Sequence, residues 1–174
     1  MVNTIPAGFN RFDYLWAALL VGVCAIYFFY ALSAGVGVCA VKEAPTTAQE
    51  KLVDFLNGII ELGMTLTTAL MGLSAALLLG VQGELRITAG VLRLMILSNV
   101  LIAQSLLYGV LWKFRVANLW FNGCWDGVAS PGLQRAYSGH FYALGLGFVA
   151  FAVLVVYIAI LRMGDKKTAS VVKQ

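Results

Sequence analysis

Asp54, Asn57, Glu61, Thr65 and Thr68 interrupt an otherwise apolar stretch of the chain at helical spacing. At about 100° per residue they fall, together with Gly72, within a strip roughly 80° wide on one helix face. Two carboxylates, an amide and two hydroxyls in line could hold a cation, relay a proton or hydrogen-bond a second helix. Glu61 is the focus of any such chemistry, because an ionisable group inside a bilayer costs roughly 3 kcal/mol even on the lenient insertion scale. If the following turn is centred near Glu84, Gln104 and Tyr108 are the expected partners of this polar intramembrane stripe. Lys113, water or a proton on Glu61 itself are the other ways to satisfy the carboxylate.

The remaining inventory is poor for catalysis. One histidine, His140, and three scattered cysteines exclude a bis-histidine haem within one chain and offer no zinc-ligand spacing. No nucleophile motif, phosphate loop or dinucleotide fingerprint occurs. The expectation is a protein with no catalytic residue, no metal site and no cofactor. His140 is expected at the mouth of the last apolar segment, as an interfacial residue.

The elements that must position the stripe follow from composition. Of 174 residues, 61% are hydrophobic and 11% charged, and the mean hydropathy is +0.87. A soluble domain of this size does not look like this. Tyr14–Val41, Leu62–Gly83, Leu94–Trp112 and Ala136–Leu161 are free of Asp, Glu, Lys and Arg, and each reaches the roughly 20 residues that cross a bilayer core. These features predict an all-α integral membrane protein with four transmembrane helices in an antiparallel bundle. The predicted spans are about 14–41, 54–82, 88–112 and 138–161, in a single domain over 1–164 followed by a disordered basic tail at 165–174. A β-barrel is disfavoured because its strands would alternate apolar and polar residues.

The net charge of +4 sits mostly outside the spans, which points to lipid headgroups and topology rather than nucleic acid. The first apolar run is too long for a signal-peptide core and reads as an uncleaved signal-anchor. Thr47-Ala-Gln-Glu50 matches a capping box opening the second span. The short turn around Gln82-Gly-Glu84 predicts a tight antiparallel hairpin of spans two and three. Small residues four apart, Ala18/Gly22, Ala31/Gly35, Ser33/Gly37 and Ala143/Gly147, suit close helix packing. Ser98, Asn99, Gln104 and Ser105 are read as interhelical hydrogen-bonding residues, and Arg86 and Arg93 as residues that snorkel to the headgroups.

A long loop is expected from Lys113 to about Tyr137. Its aromatic half, with Trp112, Phe114, Trp120, Phe121 and Trp125, is expected to lie flat at the interface. Lys and Arg counts favour cytoplasmic termini, in a membrane read as the bacterial inner membrane. Cys39 and Cys124 would then face one oxidising compartment, which predicts a Cys39–Cys124 disulfide with Cys24 left reduced. The functional expectation is a non-catalytic multi-pass subunit or accessory protein of a larger membrane complex, or a homo-oligomer. The alternative is a small oligomeric channel or transporter with Glu61 on a polar path. The stripe gives way to Ala75 and Leu79, so a path along it would close within one protomer.

Overall fold

The computed structural model describes residues 11–35, 44–81 and 88–171. They form four α-helices and one short 3₁₀ turn: α1 (Arg11–Ser33), α2 (Thr47–Val81), α3 (Ala89–Asn122), η1 (Trp125–Ala129) and α4 (Pro131–Val171). All four helices are long and apolar enough to cross a membrane. The turn expected between α2 and α3 lies outside the described residues, as do Cys39 and Arg86.

Helix boundaries differ from the expected ones for identifiable reasons. The capping box of α2 sits one residue earlier. Thr46 Oγ1 accepts from the Gln49 amide at 3.3 Å, and Gln49 Oε1 accepts from the Thr46 amide at 2.9 Å. Thr46-x-x-Gln49 and Thr47-x-x-Glu50 both fit the motif, and the residue pattern alone cannot choose between them.

The larger correction concerns the expected loop from Lys113 to Tyr137, most of which is helix. α3 runs ten residues past Trp112, to Asn122. Lys113 and Arg115 end the apolar run, but charge does not break a helix, and neither Gly nor Pro occurs before Gly123. Trp112, Val116 and Leu119 keep a buried stripe at i, i+4, i+7. The helix stops at Gly123, whose φ of 63° is left-handed and whose amide reaches back to Leu119 and Trp120 carbonyls. Ser130 then opens α4, its hydroxyl accepting from the Leu133 amide at 3.4 Å, with Pro131 at the first helical position. α4 continues to Val171, through most of the segment expected to be disordered. Its Lys, Ala and Thr residues there contain no helix breaker.

The aromatic residues accordingly divide. Trp112 and Trp125 are in the core, whereas Trp120 and Phe121 are exposed. Trp125 meets Trp120 edge-on at 4.5 Å, and Trp112 lies 5.6 Å from Tyr137.

The bundle is built around α3. Its most extensive packing is with α4, along a register that pairs Gly90 with Tyr157, Ile102 with Gly147, and Ser105 with His140. A Cβ on Gly147 would stand 2.9 Å from Ile102 Cγ1 and 3.2 Å from its amide nitrogen, so this glycine is what lets the backbones approach. The Ala143/Gly147 seam therefore packs as expected. Gly22, in the comparable pair on α1, has nothing near it. α1 buries only Asp13 and Ala31.

Candidate functional site

Two ion pairs bracket the bundle along α3. Arg93 Nε donates to Asp13 Oδ1 at 2.7 Å and lies 5.1 Å from the centre of the Phe12 ring. Lys113 Nζ donates to Glu61 Oε1 at 2.5 Å. About 20 residues of α3, hence about 30 Å of helix, separate the two cations. That is the thickness of a bilayer's hydrocarbon core. Arg93 does not simply snorkel; it ties the first turn of α1 to α3.

Arg115, two residues beyond Lys113 on α3, is a buried staple. Its guanidinium donates to the Ala31 carbonyl at 2.6 Å, to the Leu32 carbonyl at 3.3 Å and to the Gly132 carbonyl. Ala31 and Leu32 belong to the last turn of α1, where four carbonyls lack helical partners and the helix dipole favours a cation. One planar fork thus joins the C-terminal end of α1, the body of α3 and the start of α4. Gly132 makes room for it, because a Cβ there would meet Ala34 O at 2.6 Å and Arg115 Nη1 at 2.9 Å. Arg135 stacks on Tyr30 at 4.3 Å beside this joint.

Four of the five stripe residues face away from the bundle. Asp54, Glu61, Thr65 and Thr68 are exposed and Asn57 is half-buried. The buried residues of α2 are instead Val53, Ile60, Gly63, Thr67 and Ser74, a face centred about 120° around the helix from the stripe. The stripe is also less intramembrane than expected. Glu61 stands level with Lys113 at one charged boundary, and Asp54 lies about 10 Å beyond it towards the start of α2. Only Thr65 and Thr68 lie between the two charged levels. Each donates to its own helix, to the Glu61 and Met64 carbonyls at 2.9 Å, so neither leaves a hydroxyl unsatisfied.

Gln104 and Tyr108, the expected stripe partners, are committed elsewhere. Gln104 Nε2 donates to the Cys24 carbonyl of α1 at 3.1 Å. Tyr108 is buried, edge-on to Phe28 at 5.7 Å, and covers Gly139. Lys113, also considered for Glu61, is the partner the structure supplies.

Between the charged levels runs a second polar line, this one inside the bundle. Asn99 Nδ2 donates to Ser74 Oγ at 2.8 Å, and Ser98 Oγ to the Gly147 carbonyl at 3.2 Å. Deeper towards Lys113, Thr67, Ser105 and His140 meet with no solvent exposure at all. Ser105 Oγ donates to the His140 carbonyl at 3.0 Å, and the Ser105 carbonyl lies 2.9 Å from His140 Nδ1. A carbonyl can only accept, so Nδ1 carries the proton and Nε2 is a bare lone pair. Nε2 is buried and has no hydrogen-bond partner. It abuts Gly63 of α2, where any Cβ would collide with it.

The interior position of His140 corrects the expectation of an interfacial residue. A segment beginning near residue 138 would leave the ring at the membrane surface; α4 begins at Pro131, so His140 is more than two turns inside the helix. A glycine at position 63 and a serine at 105 were the available signals, and neither is distinctive in an apolar sequence. Among the described residues no group of three His, Cys, Asp or Glu side chains could hold a metal ion. Cys24 is a free thiol. No family model, curated protein or solved structure matches this chain.

Proposed function

We propose that this protein is a non-catalytic multi-pass subunit or accessory protein of a larger membrane assembly, docking through the outward face of α2. One observation carries the reading: α2 turns Asp54, Glu61, Thr65 and Thr68 away from its own bundle while Ile60, Gly63, Thr67 and Ser74 pack inward. A strip of carboxylate and hydroxyl groups running from the charged boundary into the apolar zone is a poor lipid-facing surface and a suitable one for another polypeptide. Because the strip lies outside the bundle, a channel using Glu61 would have to form between copies of the chain. That remains the second reading, as a homo-oligomer.

The helices are taken as an up-and-down antiparallel bundle with α2 and α3 as a hairpin, supported by the reversed order of their contacts: Glu61 with Lys113, Thr67 with Ser105, Ser74 with Asn99. Both termini are assigned to the cytoplasm of a bacterial inner membrane on the positive residues of the tail. A Cys39–Cys124 disulfide is part of the proposal. Cys124 packs in the same cluster as Ala31 near the end of α1, and only three residues separate Gly35 from Cys39. Intact mass before and after reduction checks the bridge, which is lost if Cys24 is found oxidised instead.

Native mass spectrometry of protein gently extracted from its own membrane tests the function. Other polypeptides should accompany the wild type, and Glu61→Gln should weaken that retention without unfolding the bundle. A homo-oligomer alone, with ion or solute flux abolished in Glu61→Gln, would replace this reading with the channel.

A further inference from the structure

We propose that His140 is a proton-binding site in the bundle interior whose occupancy decides whether α2 stays seated on α3 and α4. The ring is fully buried and its two nitrogens are treated differently. Nδ1 is held by the Ser105 carbonyl at 2.9 Å, whereas Nε2 faces Gly63 with no partner. The seated arrangement thus accommodates the neutral Nδ1–H imidazole only. An added proton would sit on Nε2, turning a lone pair into a charged donor aimed at the α2 backbone. The nearby Gly63 carbonyl already accepts from Thr67 Oγ1 at 2.7 Å. A buried charged donor without an acceptor is strongly disfavoured. Proton uptake therefore needs water at Nε2, and water needs α2 to lift away from Gly63.

Every element packed around the ring agrees. α2 contributes Gly63, Met64 and Thr67, none of them titratable, and its Glu61 faces outward onto Lys113. α3 contributes Ser105 and Gly109, with Tyr108 lying over Gly139. α4 contributes Phe141, edge-on at 4.9 Å, and Tyr137 beyond it. α1 reaches this level through Cys24, whose carbonyl is taken by Gln104. Among the described residues no carboxylate is in place to stabilise an imidazolium. α2 is also the element able to give, because its link to α3 at this depth is the long 3.5 Å Thr67–Ser105 contact.

The chain has one histidine, so the imidazole ¹⁵N spectrum of the full-length protein in lipid nanodiscs contains a single ring. At neutral pH the unprotonated nitrogen should be Nε2, the reverse of the tautomer that free histidine favours. On acidification the ring should titrate. Amide exchange over 60–67 of α2, corrected for its intrinsic pH dependence, should rise about tenfold or more in step with it. His140→Asn retains a donor for the Ser105 carbonyl but cannot titrate, and should abolish the step. Gly63→Ala should raise α2 exchange at neutral pH. A protonated Nε2 at neutral pH overturns the proposal. So does a ring that fails to titrate, one that titrates while α2 exchange stays flat, or a step that persists in His140→Asn. If His140→Asn does not accumulate, the paired measurements on the wild type decide alone.

Discussion

α2 carries two polar lines, and they behave oppositely. The outer line has the conspicuous chemistry, Asp54, Glu61, Thr65 and Thr68, yet its hydroxyls satisfy their own helix and Glu61 pairs with a half-exposed lysine. The inner line is made of Gly63, Thr67 and Ser74, residues of no chemical distinction, and it meets His140, Ser105 and Asn99 in the interior. Small residues approach closely and share hydrogen bonds between helices, whereas large charged ones need water or a partner. The inner line holds the fold, and the outer line is free for another task.

Substitutions should separate the two lines by size of effect. The greatest loss is expected on the α3–α4 seam, where Gly147→Leu would drive its side chain into the Ile102 backbone and cost about 3 kcal/mol. The same change at Gly22, which faces open space, should leave thermal unfolding in detergent unaltered. Arg115→Met should follow, at about 2–3 kcal/mol, because it strands carbonyls of α1 and α4. Arg115→Lys should not restore stability, since an ammonium cannot span both helices as the fork does. Ser105→Ala should cost about 1 kcal/mol in reversible unfolding. On the outer line, Thr65→Val and Thr68→Val should change stability by less than about 0.5 kcal/mol. A large stability loss from either would mean that the outer line also supports the fold of the isolated chain.

Much of the architecture was legible in the residues. Four uncharged segments announced four apolar helices, and Ala143/Gly147 announced a close contact, because the length and composition needed to cross a bilayer are local properties. Ser98, Asn99 and Gln104 form the interhelical hydrogen bonds that polar residues in an apolar span imply, although Gln104 bonds α1 rather than the stripe. α3 continues past Lys113 to Asn122 because charge marks where a membrane ends, not where a helix ends. Gly123 and Pro131 were the true punctuation.

Which polar face of α2 turns inward could not be read from periodicity. Both lines are helical in spacing, and a period fixes the angle between two faces without saying which of them meets a neighbour. That choice depended on α3 and α4 presenting Ser105, Asn99 and His140 to one side. The Arg115 staple was equally out of reach, joining carbonyls from Ala31, Leu32 and Gly132 that lie about 80 and 17 residues away in the chain. Helix length, polarity and small-residue spacing are properties of a segment and belong to the sequence. The facing of α2, the burial of His140 and the lone pair opposed by Gly63 arise only when three helices share one depth.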